Sequence, residues 1–143
     1  MTIRPLAATD FDTWSPLWAA YLAFYETERS EAHHRAYFAR LLSGDPHDYS
    51  CLLAGETPLG LAHYVFHAHG WQSEPVCYLQ DLYVDPSARG RGLGRALIEA
   101  VYAAAKSRGA KGVYWMTQHF NTDARVLYDS VGTLTPFIKY QQP

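Results

Sequence analysis

The chain has 143 residues, of which 48% are hydrophobic and 15% aromatic, and its formal net charge is -2. This composition excludes a disordered chain and fits a single domain over residues 1–143, while the charge argues against a nucleic-acid partner, because domains that bind nucleic acid usually carry a basic excess. The absence of a bilayer-length apolar run and of a secretory signal predicts a cytoplasmic protein with no membrane partner, in which Cys51 and Cys77 stay buried free thiols.

The first part of the chain predicts a short strand and two helices. Residues 2–6 alternate as a strand does, and an aromatic stripe at helical spacing follows them. Because proline is tolerated in the first turn of a helix but not in its interior, Pro16 predicts that the first helix begins near Ser15. A second helix is predicted over residues 31–42, where Ser-Gly-Asp-Pro stops it.

The rest of the chain predicts a hairpin followed by a β–α–β crossover. The elements are, in chain order, strands over residues 49–54, 59–68 and 75–84, a helix from a glycine-rich turn to about residue 108, a strand over 113–117, a helix over 121–131 and a last strand over 134–140. An antiparallel hairpin joined to a parallel crossover predicts an α/β sheet of mixed strand direction. In such sheets a ligand binds beyond the strand ends, where the connections diverge.

Residues 89–94, Arg-Gly-Arg-Gly-Leu-Gly, join the strand over 75–84 to the following helix, and we call them the glycine loop. A glycine-rich turn at a helix N-terminus exposes unpaired backbone N–H groups, with the positive end of the helix dipole behind them. Glycine also lets the backbone close around an anion, and the two arginines add positive charge. The glycine loop is therefore predicted to bind a phosphate group.

Two common nucleotide-binding motifs do not fit the glycine loop. A dinucleotide motif needs Gly-x-Gly-x-x-Gly, but Arg95 occupies the third glycine's place when the count starts at Gly90. Thr117 and Gln118 stand where the next strand would carry a ribose-binding carboxylate, and no Walker-type lysine follows the glycines. NAD, FAD and P-loop nucleotide chemistry are thus disfavoured.

The spacing Arg-x-x-Gly-x-Gly within the glycine loop resembles the pyrophosphate-binding motif of the GNAT superfamily of N-acetyltransferases. Residues 78–84 look like the bulged central strand of that family, and Asn121 precedes Tyr128 by seven residues, as the asparagine and tyrosine of the family's later helix do. The resemblance runs from the first strand to Tyr140 and is greatest to small histone, D-amino-acid and diamine acetyltransferases. It implies a GNAT-like α/β (α+β) fold, with a mixed twisted sheet of six to seven strands and about four helices.

The resemblance also implies that acetyl-coenzyme A is the cosubstrate and that no metal ion takes part. A bulged strand leaves backbone N–H groups that no neighbouring strand uses, and Leu82 and Val84 are the expected donors to the cosubstrate's carbonyl groups. Asn121 is expected to cap its helix and to contact the pantetheine arm. The residues expected to contact the cosubstrate are Leu82, Tyr83, Val84, Arg89, Gly90, Arg91, Gly92, Leu93, Gly94, Arg95 and Asn121.

Tyr128 is the expected general acid, and Asp81 is the first candidate for the base. A phenol with a pKa of about 10 stays protonated at neutral pH and can donate to a leaving thiolate whose conjugate acid has a pKa of about 8.5. In the resembling diamine acetyltransferases an acidic pair stands where this chain has Gln80-Asp81, so Asp81 is the remaining carboxylate, as a base or as a charge that attracts a cationic acceptor. Gln80 and Asp81 face the same side only if the bulge turns one of them. A water on Gln80, His119 as the base, and a purely structural Asp81 remain alternatives.

The acceptor is left open by the sequence. The expected reaction is acetyl transfer to a primary amine, which is a small amine, a polyamine, an amino acid, or a lysine or N-terminus of a protein. The alternatives are a non-catalytic acyl-CoA-binding regulatory module and a domain that binds nucleotide phosphates. His63, His67 and His69 share one face of a predicted strand, and without a fourth ligand an exposed or subunit-facing row is favoured over a metal site. This row and the last strand are candidates for a homodimer interface.

Overall fold

The computed structural model describes all residues from Met1 to Pro143 and contains five strands and four helices. The strands are β1 (Ile3–Pro5), β2 (Ser50–Ala54), β3 (Gly60–His67), β4 (Val76–Val84) and β5 (Val113–Tyr114). The helices are α1 (Phe11–Phe24), α2 (Glu31–Leu41), α3 (Leu93–Ser107) and α4 (Thr122–Val131), with short 3-10 turns at Ala8–Asp10 and Pro86–Ala88. None of the helices has the length and apolar character that a membrane crossing requires.

The strands form one sheet in the order β1–β2–β3–β4–β5. β1 to β4 pair in antiparallel fashion, and β5 pairs parallel to β4 after the crossover through α3. The predicted mixed sheet and the β2–β3 hairpin are therefore confirmed. β5 is shorter than the predicted strand over 113–117, because the chain diverges from β4 after Tyr114 and loses its hydrogen-bonding partner.

The predicted strand over residues 134–140 is wrong for the folded chain, and the sheet has five strands instead of six to seven. A strand needs a neighbour for its N–H and C=O groups, but residues 133–143 make no backbone hydrogen bond with any element of this chain. Their large apolar side chains are exposed, namely Leu134, Phe137, Ile138 and Tyr140. The segment has the composition of a strand without a partner in the same chain.

α1 begins at Phe11 rather than near residue 15, and Pro16 lies inside it. Pro16 cannot donate an intrahelical hydrogen bond, which weakens the helix locally. Tertiary contacts outweigh this loss. The Asp10 carboxylate accepts two hydrogen bonds from the Arg4 guanidinium (2.8 and 2.9 Å), which hold the residue just before α1 in place. Trp14, in the first turn of the helix, is fully buried. The guanidinium also holds the pKa of Asp10 below its usual value.

Two apolar cores cover the two faces of the sheet. α3 packs on one face, and α1 and α2 cover the other with a cluster of aromatic side chains. Cys51 and Cys77 belong to different cores and are free thiols, as predicted. Burial raises the pKa of Cys77 to about 12 and also raises that of Cys51, so both thiols stay protonated at neutral pH.

Candidate active site

β4 carries a bulge near its centre. Asp81 lies opposite His63 on β3 and Leu79 lies opposite Tyr64, so Gln80 is an extra residue without a partner. A bulge of this kind bends its strand and disrupts the local ladder of hydrogen bonds. The expectation of a bulged central strand is therefore confirmed.

The bulge presents two neighbouring polar side chains to the same side of the sheet. Gln80 accepts a hydrogen bond from the Tyr49 hydroxyl (3.1 Å), and Asp81 accepts one from Trp18 Nε1 (3.2 Å). Tyr49 and Trp18 both pack in the core between the sheet and the helices α1 and α2. Regular alternation would have sent one of the two side chains to the α3 face.

A cleft opens between β4 and β5 beside the bulge. β5 pairs with β4 only at Cys77 and Tyr78, and the two strands separate beyond these residues. The residues that line the cleft are Tyr21, Tyr25, Leu79, Gln80, Leu82, Trp115, Met116 and Tyr128. A larger, open depression at the far end of α3, around Lys106 and Lys111, contains neither the bulge nor the glycine loop. The cleft is thus at the diverging strand ends, where a ligand was expected.

The end of β4 turns backbone donors toward the cleft. The Asp85 N–H donates to the Leu59 carbonyl on the β3 side (2.8 Å). Because N–H groups alternate between the two edges of a strand, those of Val84 and Leu82 point to the opposite edge. Arg89 Nε donates to the Val84 carbonyl on that edge (3.1 Å), which agrees with this direction.

Tyr128 lines the cleft from α4. Its ring lies edge-on to that of Trp115, with 5.6 Å between the centroids. Burial raises the pKa of Tyr128 to about 12, with a smaller contribution from Tyr25, and no hydrogen bond contributes to the shift. The phenol is therefore protonated at neutral pH, and its hydroxyl is available to a ligand.

Gly94 lets α4 pack closely against α3. A Cβ atom at this position would lie 2.9 Å from Leu127 Cδ2, closer than real Cβ contacts. A larger residue would force the end of the Leu127 side chain to move, and Tyr128 directly follows Leu127 on α4. Gly94 therefore has a packing role in addition to its predicted place in the phosphate-binding loop.

The glycine loop and the first turn of α3 present a row of free backbone N–H groups. None of these groups from Gly90 to Arg95 donates a hydrogen bond within the chain, and the first bond of α3 runs from the Ala96 N–H to the Gly92 carbonyl (3.0 Å). Gly92 has a φ of 79°, in the left-handed region, and a Cβ added there would meet no atom within 4 Å. Unpartnered donors, open space and the helix dipole together fit a phosphate group.

Three arginines, Arg89, Arg91 and Arg95, belong to the glycine loop and the first turn of α3. Arg89 is held at the Val84 carbonyl, and Arg95 Nη2 donates to Ser130 Oγ on α4 (2.7 Å). Arg91 is exposed on the loop itself. The guanidinium charges therefore add to the positive end of α3 and favour an anion of more than one charge.

Asp81 is only 5% exposed, and its carboxylate is fixed through one oxygen. Oδ2 accepts hydrogen bonds from His63 Nδ1 (2.8 Å) and from Trp18 Nε1 (3.2 Å). Neither of these donors reaches Oδ1, the second carboxylate oxygen. Burial, the charge of Asp81 and hydrogen bonding to its carboxylate raise the pKa of Tyr21, so the Tyr21 hydroxyl lies beside Asp81 on the cleft side. The carboxylate thus has one oxygen that is held by two N–H donors, and the Tyr21 hydroxyl lies between the carboxylate and the cleft.

Two further predicted residues lie at the start of α4. Asn121 occupies the N-cap position, but its side chain makes no capping hydrogen bond, so that prediction is wrong. Its Nδ2 instead donates to Thr117 Oγ1 (3.3 Å), which holds the side chain against the strand end. His119 is exposed, packs edge-on against Phe120 and does not line the cleft.

The predicted histidine row is not a common surface. His63 is fully buried, His67 shares a hydrogen bond with the Tyr114 hydroxyl (2.8 Å), and His69 lies beyond the end of β3. The expectation of an exposed row is therefore wrong for His63. No group of three or more His, Cys, Asp or Glu side chains is arranged to hold a metal ion.

No pattern in the sequence marks His63 and Trp18 as partners of Asp81. The bulge shifts the register of β3 and β4 by one residue and so places His63 opposite Asp81. This neighbour could be predicted only with the position of the bulge already known. The aromatic stripe of α1 predicted a buried face, but not that an indole N–H on it would reach a carboxylate. Tyr21 of α1 and Tyr25, the residue after that helix, contribute their rings to the wall of the cleft.

Comparison with known proteins gives a consistent result. Residues 14–133 match the family described as the acetyltransferase (GNAT) family. The chain is 34% identical to the D-amino-acid N-acetyltransferase HPA3 of Saccharomyces cerevisiae, over 99% of this chain and 90% of that protein. It is 28% identical to the aminoglycoside N(6')-acetyltransferase type 1 of Salmonella typhimurium, over 92% of this chain and 90% of that protein.

The fold has counterparts among solved structures. The structure of AAC(6')-Iy in complex with the bisubstrate analogue CoA-S-monomethyl-acetylneamine superposes with a TM-score of 0.80. The match covers 99% of this chain and 97% of that one at 23% sequence identity, so it concerns the fold alone.

Proposed function

The chain belongs to the acetyltransferase (GNAT) family of N-acetyltransferases, and from this premise we propose that it transfers the acetyl group of acetyl-coenzyme A to a primary amine by direct attack. In this proposal residues 1–143 act as one domain. The observation that carries it is the row of free N–H groups from Gly90 to Arg95, which lies next to a cleft that holds Tyr128. The free thiols Cys51 and Cys77 support a cytoplasmic location.

The cosubstrate would bind along the edge of β4 and across the start of α3. The N–H groups of the glycine loop would hold the pyrophosphate, with the positive charges of Arg89, Arg91 and Arg95 around it. The backbone of Leu82–Val84 offers its outward N–H groups to the carbonyls of the pantetheine arm. The Asn121 amide, near the other wall of the cleft, is a second polar contact for that arm.

In the proposed reaction the amine nitrogen attacks the thioester carbonyl carbon, so that a C–N bond forms and the C–S bond breaks. Tyr128 donates its phenolic proton to the departing thiolate and is reprotonated from solvent. The proton lost by the amine passes to Asp81 Oδ1 and from there to water. Asp81 is favoured over His119 because it stands on the bulge between the cleft residues Gln80 and Leu82, whereas no neighbour of His119 in the chain lines the cleft. A water on Gln80 would carry the proton from the amine to the buried carboxylate.

We propose a small cationic amine as the acceptor, with a protein lysine or N-terminus as the second candidate. The Asp81 carboxylate lies behind a cleft wall of tyrosine rings from α1, and both attract a cation. The yeast relative is named for D-amino acids and the Salmonella relative for aminoglycosides, which are small amines. Competition between a diamine, D- and L-amino acids and a lysine peptide for a limiting amount of acetyl-CoA would rank these classes.

The cosubstrate proposal predicts a ligand-specific rise in melting temperature. At a CoA concentration about 100 times the Kd, binding to the folded state adds about 2.7 kcal/mol to the free energy of unfolding. Melting curves with CoA, acetyl-CoA, ATP and NAD at equal concentration compare the ligands directly. We expect the two CoA compounds to give the largest shifts, whereas a larger shift with ATP would support the nucleotide-binding alternative instead.

We also propose that two copies of the chain pair through residues 133–143, the C-terminal arm. The arm has a β-forming sequence without a partner, and its Ile138 and Tyr140 side chains are 80% and 91% exposed. β5 is an edge strand, and exposed apolar residues Met116 and Phe120 follow it. A second copy could supply the missing strand neighbour symmetrically, because a two-fold axis brings the same surface of both chains together.

Light scattering of the eluting protein tests this pairing. We expect a mass of two chains for the wild type and of one chain for the double substitution Phe137→Asp, Ile138→Asp. Trp71→Asp is the matched control, because Trp71 is 86% exposed but lies outside the arm. A wild type that elutes as one chain at tens of micromolar would rule out the arm as a dimer interface.

A further inference from the structure

We propose that His63 is a positioning residue for the reaction: held as one neutral tautomer by Trp14, it fixes the carboxylate of Asp81 so that Oδ1 faces the acceptor amine. This inference rests on the proposed function, since it assigns a role toward the base of that reaction. In the sequence His63 stands out only as a member of the histidine row, with no sign of a link to Asp81. It is placed by the pairing of β3 with β4 and by the packing of α1.

The tautomer follows from the hydrogen bonds of the His63 ring. Trp14 Nε1 lies 3.0 Å from His63 Nε2, and an indole N–H can only donate. His63 Nε2 must therefore be an acceptor without a hydrogen. The ring proton lies on Nδ1, which is 2.8 Å from Asp81 Oδ2 and donates to it. In a doubly protonated ring, the hydrogen on His63 Nε2 would point at the hydrogen on Trp14 Nε1, and the hydrogen bond between them would be lost.

This arrangement determines what each group can do. The lone pair of His63 Nε2 is engaged by Trp14 and Nδ1 already carries its proton, so the ring has no site for a proton from the amine. Asp81 Oδ2 receives two N–H donors, from His63 and from Trp18, which hold the plane of the carboxylate. Neither donor occupies Oδ1, which leaves that oxygen for the cleft side, where the Tyr21 hydroxyl lies. The histidine thus orients the carboxylate, the reverse of a catalytic triad, in which the carboxylate orients the histidine.

The surroundings leave little room for another orientation. Trp14 and His63 are fully buried, and the Tyr37 ring lies edge-on to His63 at 5.2 Å. Without its two donors, the Asp81 carboxylate would lose the hydrogen bonds that compensate for its burial and would rotate toward solvent. Since small displacements of a catalytic group can cost about 100-fold in rate, loss of the His63 donor is expected to slow turnover.

The tautomer can be measured in the wild-type protein without any assay of activity. Long-range ¹⁵N–¹H correlation spectra of ¹⁵N-histidine-labelled protein distinguish a protonated Nδ1 from a protonated Nε2. We expect the His63 signals, assigned by their loss in His63→Asn, to show Nδ1–H and an unprotonated Nε2. A protonated Nε2 on His63 at neutral pH would overturn the proposal, whatever the protein's activity.

Kinetics of matched variants test the role in turnover. We expect His63→Leu to lower kcat about 10- to 100-fold with KM for acetyl-CoA nearly unchanged, and His63→Asn, whose amide N–H can replace Nδ1–H, to recover most of the loss. His34→Leu is the control, because His34 is also buried among the same aromatic rings but bonds to Ser15 (2.7 Å) and not to Asp81. Equal kcat values for His63→Leu and His34→Leu would overturn the proposal. A wild type inactive with every amine would instead contradict the proposed function.

Discussion

Replacing Tyr128 with phenylalanine is expected to lower kcat by about 100-fold or more while the Kd for CoA stays within a few-fold of the wild-type value. The substitution removes the only group that we assign as proton donor to the leaving thiolate, and general acid catalysis is typically worth 10²- to 10⁴-fold. The ring itself still packs against Trp115. Steady-state kinetics and calorimetric titration with CoA measure the two quantities separately.

The pH dependence of the wild type gives an independent check on Tyr128. A general acid must be protonated to act, and burial raises the pKa of Tyr128 to about 12, so its contribution would be lost only as the pH rises toward that value. Between pH 7 and 9 we therefore expect no fall in kcat from this group.

Tyr102→Phe is the control for Tyr128→Phe. It loses a hydrogen bond to the Val131 carbonyl at the end of α4 (2.7 Å), which lowers the free energy of unfolding by about 1 kcal/mol, and Tyr102 does not line the cleft. If Tyr128→Phe turned over as fast as Tyr102→Phe, the acid would have to be another group.

Replacing Gly92 with valine is expected to weaken CoA binding by about 100-fold or more. The side chain would enter the open space beside the free N–H groups of the glycine loop, where the pyrophosphate is proposed to lie. The φ of 79° at Gly92 also disfavours a β-branched residue by about 1–3 kcal/mol. Calorimetric titration with CoA measures the loss of affinity.

Gly109→Val separates the loss of binding from the backbone strain. Gly109 follows the other end of α3, has a similar φ of 72° and likewise has no atom within 4 Å of an added Cβ. Both variants should therefore melt at a similar, lowered temperature, and only Gly92→Val should lose CoA. Wild-type affinity in Gly92→Val would contradict the assignment of the glycine loop to the pyrophosphate.

Features with a local cause were predictable from the sequence. The glycine loop, the start of α3 and the β2–β3 hairpin depend on glycine, proline and apolar spacing within a few residues. The bulge of β4 was inferred from a resemblance rather than from spacing, and the register confirms it. The prediction of a strand over residues 134–140 was wrong because a strand depends on a distant partner. The local sequence favours a strand, but no neighbour for it exists in the same chain.

The environment of Asp81 could not be predicted from local patterns. Three segments, from α1, β3 and β4, supply its hydrogen-bonding network, and the bulge decides which side chains of β3 and β4 meet. The early start of α1 has a similar cause, because the ion pair of Arg4 with Asp10 acts between two elements. Such contacts depend on packing, whereas alternation and propensity describe one segment at a time. The catalytic role of Asp81 stays a prediction.

The central claim, acetyl transfer from acetyl-CoA to an amine, is tested most directly by measuring free thiol and acetylated product in the same reaction. The purified protein is incubated with acetyl-CoA and, in parallel, with a diamine, D- and L-amino acids, an aminoglycoside and a lysine peptide. We predict that at least one amine class yields CoA thiol and N-acetylated amine in a 1:1 ratio, and that thiol release depends on that amine. Binding of acetyl-CoA without thiol release for any of these amines would contradict the claim and favour a non-catalytic acyl-CoA-binding module.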